Sequence, residues 1–223
     1  MKINWLSIEK PITYKSKING TITIGKRNNE KALYAGGVTQ SGGEITPMWD
    51  EVIGNLYKGG IPDQVRDDKD KNILVLGVGS GSVIHAIRNH DKTANILGIE
   101  LDPVMKQAAI EQFGIKETKL QKIIIADAIT WIQKQSRISE LVYGTIIVDL
   151  YIGPLNPPKA RTKKFLMQLN KMFKPKGIIL YNAHYQKKNT GEYEAFRKIT
   201  DKIFSNAEEV FSYPLNRVLL LRK

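Results

Sequence analysis

The sequence predicts an α/β fold: a mostly parallel sheet that ends in an antiparallel hairpin and is preceded by a small N-terminal β-hairpin region. Three observations predict it. From Asn72 onward, apolar runs of strand length alternate with segments of helical periodicity, the pattern of βαβ units around a sheet covered on both faces. The first of these runs, "ILVLGVGSGSVIHAI" (residues 73–87), breaks into alternate glycines before resuming at helical spacing. Three apolar runs end in a carboxylate, at Glu100, Asp127 and Asp149.

The elements follow in chain order. Between Thr13 and Ser41, "TITIG", "KALYAGG" and "VTQSGG" are β-branched and aromatic runs separated by Gly and Asn, the signature of short antiparallel strands. "TPMWDEVIGNLYKG" reads as a helix, with Thr46 as N-cap, Pro47 at the first helical position and Gly59 beyond the last turn. "GGIPDQVRDDKDKN" is a charged connector. The expected organisation is therefore 1–60 as hairpin region and helix, 61–71 as connector, and 72–223 as the ligand-binding domain.

Within that domain, strands are expected at "NILVLGV", "ANILGIE", "KIIIAD", "YGTIIVDL" and "GIILYNA". Helices are expected at "SVIHAIRNH", "PVMKQAAIEQF", "AITWIQKQS", the stretch from Lys159 to Lys176, and "GEYEAFRKITDKIF". In the Lys159 stretch, Phe165, Leu166, Leu169, Met172 and Phe173 share one face and the lysines the other. "LNPPK" is read as its start, with Asn156 able to cap and Pro157 or Pro158 in the first turn. "EEVFSYPLNRVLLLRK" supplies two strands joined at Pro214 to Asn216, close enough to pair antiparallel.

Composition excludes several functions. The 223 residues are 42% hydrophobic, enough to bury a core, and contain no cysteine. Disulfides and thiolate metal sites are thereby excluded, and His85, His90 and His184 have no short ligand spacing, so no metal is expected. "MKINWLSIEK" lacks an apolar signal region, and no run approaches the ~18 apolar residues of a membrane span, so a cytoplasmic location is expected. The net charge of +12 raises the question of nucleic acid. The lysines are spread along the chain, however, and nucleic acid is not the favoured partner.

Gly77, Gly79 and Gly81 stand where the first strand turns into its helix, at the sheet edge where open α/β proteins bind ligands. Glycine there allows unusual dihedrals and lets a ligand approach the backbone. Ser82 interrupts the dinucleotide fingerprint. Glu100 follows Gly77 by 23 residues, where an acidic side chain accepts hydrogen bonds from a ribose diol. Asp127 is placed either to cap the next helix or to serve the same rim.

The sheet pattern is similar to class I methyltransferase (Rossmann-like) folds. "VLGVGSGSVIHAI", "GIELDPVM", "IADAITWI", "IIVDLYIGP" and "QSGGEITPMWDEVIGNL" resemble the spermidine synthase-like (polyamine aminopropyltransferase) branch of the S-adenosylmethionine-dependent superfamily, over roughly residues 20 to 180. The resemblance implies that Gly77, Gly79 and Gly81 face the amino-acid part of an S-adenosyl donor, either S-adenosylmethionine or its decarboxylated form. It places Glu100 at the ribose, Asp127 at the adenine amino group and Gln40 also on the donor, and makes Asp149 the catalytic residue. Glu51, Trp49 and Tyr151 would serve a small-molecule amine acceptor, and the oligomeric state stays open, a homodimer included.

Two departures stand out. Asp149 is followed by Leu, Tyr, Ile and Gly, so that Ile152 occupies the place of the family's second aspartate. Upstream, Ile45 and Thr46 replace an acidic pair, and Trp49 a tyrosine. A diamine would then need other partners, for which Glu44, Asp50 and Glu51 are available. The expected activity is transfer of an aminopropyl or other alkyl group from a sulfonium donor to an amine. The alternatives are methyl transfer to a small molecule or RNA, and a non-catalytic binding protein of the same fold. Whether His184 and Tyr185 touch substrate is left open.

Overall fold

A computed structural model describes residues 10–27, 30–43, 45–60, 71–137 and 143–223. The connector assigned to residues 61–71 lies, apart from Lys71, outside them, as do the N-terminal nine residues and Glu44. Among the described residues no helix is long and apolar enough to cross a membrane.

The N-terminal hairpin region is a four-stranded antiparallel meander of β1 (Ile12–Ser16), β2 (Gly20–Arg27), β3 (Glu30–Ala35) and β4 (Val38–Gly42), in that spatial order. α1 (Ile45–Asn55) follows and runs on into a wider π turn at Leu56–Gly60. Two details differ from the sequence reading. Thr46 lies inside the first turn of α1 and its hydroxyl meets Ser82 Oγ at 3.0 Å, so it is not the cap. Gly59 falls within the π turn and not beyond the helix.

The second sheet has seven strands: β5 (Asn72–Leu76), β6 (Asn95–Glu100), β7 (Gln121–Ile125), β8 (Tyr143–Val148), β9 (Phe173–His184), β10 (Asn206–Tyr213) and β11 (Asn216–Arg222). Their order is β10-β11-β9-β8-β5-β6-β7, with β5 to β9 parallel and the β10–β11 hairpin antiparallel to β9. The helices between them are α2 (Ser82–His90), α3 (Pro103–Phe113), α4 (Ala128–Gln135), α5 (Lys163–Met172) and α6 (Thr190–Ile203).

Both faces of the central strands are covered, which is why β5 and β8 read as unbroken apolar runs. Along β5, Ile73 and Val75 join a core with α1 and α2, while Leu74 and Leu76 join one with α4, α5 and α6. Of the anticipated apolar face, Phe165, Leu166, Leu169 and Met172 are buried on α5, but the helix stops at Met172 and not at Lys176: Phe173, also buried, already begins β9. The start of α5 is different too: Thr162, not Asn156, caps it by accepting from Phe165 N at 3.3 Å. Pro158–Arg161 form a separate 3₁₀ turn before it.

The meander is docked on the larger sheet's layer. Ile22, Ile24, Leu33 and Ala35 pack on Met105 and Ala108 of α3. Asp102 ties the two parts polarly: it caps α3 through Val104 N (2.9 Å) and also accepts from Ser16 Oγ and Asn19 Nδ2. β4 therefore lies over the carboxyl end of β5, and carries Gln40 and Ser41 there.

Candidate active site

β5 and β8 are neighbours, although their chain connections lead to opposite halves of the sheet. That divergence opens a crevice at their carboxyl ends, the place where open α/β sheets bind ligands. The turn after β5 begins with Gly77, whose N–H donates to Ile99 O at 2.9 Å and whose φ is +86°. A Cβ at Gly77 would stand 2.2 Å from Asp149 O, so the end of β8 fills the space that glycine leaves. A Cβ at Gly79 would meet Ser41 Oγ at 2.8 Å, and one at Gly81 would meet Ile115 Cδ1 at 2.3 Å. The turn is thus glycine-rich chiefly because protein atoms press against it. Gly81, expected at the donor, faces Ile115 and is absent from the lining of the crevice.

Glu100 ends β6 directly beneath this turn. Its Oε2 accepts from Val78 N and Gly79 N and its Oε1 from Asp102 N, each at 3.0 Å. Burial pushes this carboxyl's pKa up while the three N–H donors pull it down. The consequence extends to the whole turn. Ser80 N donates to Ser41 Oγ and Gly81 N to Val78 O, so the N–H groups from Gly77 to Gly81 all have protein acceptors.

Asp149, at the end of β8, is held by two donors: Asn182 Nδ2 on Oδ1 at 2.8 Å and Trp49 Nε1 on Oδ2 at 3.1 Å. Burial, together with the charge of Glu100, outweighs those bonds and lifts its pKa to about 6. Behind it runs an amide network. Asn216 Nδ2 donates to Asn182 Oδ1 (2.9 Å) and to Tyr151 Oη (2.8 Å). Asn156 donates to Leu150 O and Asn182 O and accepts from His184 N. Asn156 is therefore a buried strut between the loop after β8 and the end of β9, which is why it is not free to cap a helix.

Two cavities meet at Asp149. The first, open to solvent, is lined by Gly77, Gly79, Glu100, Asp127, Ile152 and Leu101 among others. The second lies over β9 and β11 and is lined by Val38, Ile45, Pro154, Asn182, His184 and Leu215 among others. Gln40, Asp149 and Tyr151 line both. Among the described residues no lysine or arginine lines either cavity, although the chain carries a charge of +12.

The sequence-derived candidates fall into three groups. Gly77, Gly79, Glu100, Asp127, Gln40, Asp149 and Tyr151 come together around the crevice. Asp127 also caps α4, accepting from Thr130 N at 2.6 Å through Oδ1. Gln40 donates to Gly153 O at 2.8 Å and so braces the loop after β8 against the meander. Trp49 lies behind the crevice and does not line it: fully buried, it donates to Asp149 and presents no surface to an acceptor. Glu51 lies elsewhere, beside Glu30, Pro47 and Tyr213, because it is on the opposite face of α1. Asp50, the other carboxylate available on α1, accepts from Asn89 on α2. Sequence reasoning did not single out Asn182 and Asn216. The signal for Asn182 was present in "GIILYNA", where a polar residue closes an apolar strand at the ligand edge.

A profile of the spermine/spermidine synthase domain matches residues 51–215. A polyamine aminopropyltransferase from Vibrio vulnificus is 27% identical over 115 residues, 52% of this chain and 38% of the relative. An eEF1A lysine and N-terminal methyltransferase homolog from Drosophila melanogaster is 26% identical over 121 residues, 52% of this chain and 18% of the relative. The chain thus spans well under half the length of these two curated relatives. In fold it is similar to the crystal structure of a probable spermidine synthase from Corynebacterium glutamicum, with a TM-score of 0.76, 16% identity, and coverage of 96% of this chain and 80% of that one. With the profile covering most of its length, this chain belongs to the spermine/spermidine synthase domain family.

Proposed function

We propose that the chain transfers an aminopropyl group from decarboxylated S-adenosylmethionine to an amine. The observation that carries this reading is the junction at Asp149 of two cavities that, among the described residues, no lysine or arginine lines. A donor of this kind supplies a carbon bonded to a positively charged sulfur. Glu100, Asp127 and Asp149 line the first cavity and suit a cationic ligand. In this reading Glu100, whose Oε1 accepts a single N–H bond among the described residues and which lines the first cavity, takes the ribose and Asp127 the adenine amino group, with Gln40 and Tyr151 closing the junction. Asp149 accepts or steers the proton that an ammonium must lose before its nitrogen can attack. Trp49 and Asn182 orient that carboxylate.

The choice of the decarboxylated donor rests on the same lining. A donor carboxylate would find neither a cationic side chain nor an uncommitted N–H in the turn from Gly77 to Gly81. The second reading, methyl transfer from S-adenosylmethionine, is favoured by the likeness to a lysine and N-terminal methyltransferase homolog over half of the chain. Calorimetric titration with both donors, followed by mass analysis of products formed with mixed amines, separates them. Tighter binding of the decarboxylated donor and products heavier by an aminopropyl group are expected. Methylated products made only from S-adenosylmethionine would replace the first reading by the second.

A further inference from the structure

Among the described residues the second cavity has one carboxylate, Asp149, and its two oxygens already accept from Asn182 and Trp49. The remainder of the lining is apolar or neutral: Val38, Ile45, Pro154 and Leu215 face it together with the amides of Asn182 and Asn216. His184 is buried, and its Nε2 has no hydrogen-bond partner. Around it stand Arg161, Lys188 and Glu192, two cations against one anion, and burial with Arg161 lowers the imidazole's pKa. On the wall of the second cavity Leu215 is 48% exposed, while Ile152, 52% exposed, lines the adjoining first cavity. A large aliphatic side chain left in water beside a cavity offers a surface that apolar ligand atoms cover.

We propose that the acceptor is a monoamine with an apolar body: its single nitrogen sits at Asp149 and its hydrocarbon against Val38, Ile45, Pro154 and Leu215. This rests on the reading of the site as a sulfonium-dependent transferase. The physical reason is the charge count. Among the described residues one ammonium finds a carboxylate in the chamber and a second does not, and an unpaired buried ammonium is strongly disfavoured, whereas a methyl group in the same place is favoured. The step balances with one amine. The ammonium gives a proton to Asp149, the freed nitrogen lone pair forms a bond to the carbon on sulfur, and the carbon–sulfur pair leaves with sulfur as a neutral thioether. The product is a secondary ammonium, and the proton on Asp149 passes to solvent.

The test compares two nearly isosteric amines, n-pentylamine and 1,4-diaminobutane, which differ in a terminal methyl against a terminal ammonium. With the full chain and the decarboxylated donor, kcat/KM for n-pentylamine is expected to exceed that for 1,4-diaminobutane by about tenfold or more. Calorimetry on the chain saturated with the thioether nucleoside product should show the same order of binding. Leu215→Asp, which adds a carboxylate to the chamber wall on the exposed β10–β11 turn, should reverse the preference. Equal or better use of 1,4-diaminobutane by the unaltered chain would overturn the proposal, as would donor binding with transfer to neither amine. Failure to bind any adenosyl donor would instead remove the transferase reading itself and this proposal with it. Methylation of n-pentylamine in preference to the diamine would support the acceptor class while changing the donor.

Discussion

Asp149 combines features that pull in opposite directions: two hydrogen-bond donors favour its charge, and burial beside Glu100 opposes it. The balance, near 6 against an ordinary 3.8, leaves it ionised at neutral pH yet able to hold a proton briefly. Asp149→Asn is expected to reduce single-turnover rate by about a hundredfold while leaving nucleoside affinity nearly unchanged, as measured by rapid quench and calorimetry. The pH dependence has a defined sign. Turnover should rise as pH passes upward through about 6, where the carboxyl loses its proton. Trp49→Phe, which keeps the buried ring but removes the donor at 3.1 Å, should move that midpoint upward. Stability runs the other way. Because the folded value is raised, the contribution of Asp149 to stability is fully present below pH 3.8 and lost as pH rises through about 6. The melting temperature of the unaltered chain relative to Asp149→Asn should therefore fall across that window.

The β5 turn shows how an element acquires its sequence from its neighbours. Gly77 has positive φ and lies where any Cβ would strike Asp149 O, so a substitution there pushes on the residue proposed to do the chemistry. Gly114, which closes α3, also has positive φ (+71°), but nothing lies within 4 Å of its missing Cβ. The pair makes an internal control. Gly114→Ala should cost about 1 kcal/mol from backbone strain alone. Gly77→Ala should cost about 2 kcal/mol or more in a denaturant melt and, unlike Gly114→Ala, also depress turnover. The caps follow the same rule of context. Asp102 and Asp127 each accept from the turn they precede, and for Asp127 the sequence reading has a cap as one of two roles. Asn156 has the right residue type but spends its amide on Leu150, Asn182 and His184, leaving Thr162 to cap α5.

At the scale of the whole molecule, a chain of net charge +12 holds a crevice that, among the described residues, no lysine or arginine lines. In the proposed reading the general field repels a cationic donor, and the carboxylates at the crevice are what would hold it once it arrives. Screening acts mainly on the long-range part, since the Debye length is ~10 Å at 0.1 M ionic strength. Donor association, followed by stopped flow, should therefore become faster between very low salt and about 0.15 M, the reverse of the trend for an enzyme that attracts its ligand. The docked meander matters at this scale too. It brings Gln40 and Ser41 over the β5 turn, and so completes on one side a crevice that the seven-stranded sheet alone would leave open.

The alternation of apolar runs and helical segments was sufficient to specify the parallel sheet and its closing hairpin, because burial of both sheet faces leaves its mark on every strand. The glycine turn and the acids at Glu100, Asp127 and Asp149 were legible for the same reason: they interrupt apolar runs at the edge that must stay polar. What those residues touch was not legible. The three glycines yield to Asp149, Ser41 and Ile115, residues 34 or more positions away in the chain. Trp49 and Glu51, two positions apart, point to opposite sides of α1, one onto Asp149 and the other away from it. Asn182 reaches Asp149 only because β8 and β9 lie side by side. Local periodicity is written in neighbouring residues, and so the sequence by itself determined the strands, the helices and the edge where ligands bind. Which side chains meet at that edge depends on strand order and on the docking of the meander, and only the tertiary structure decided it.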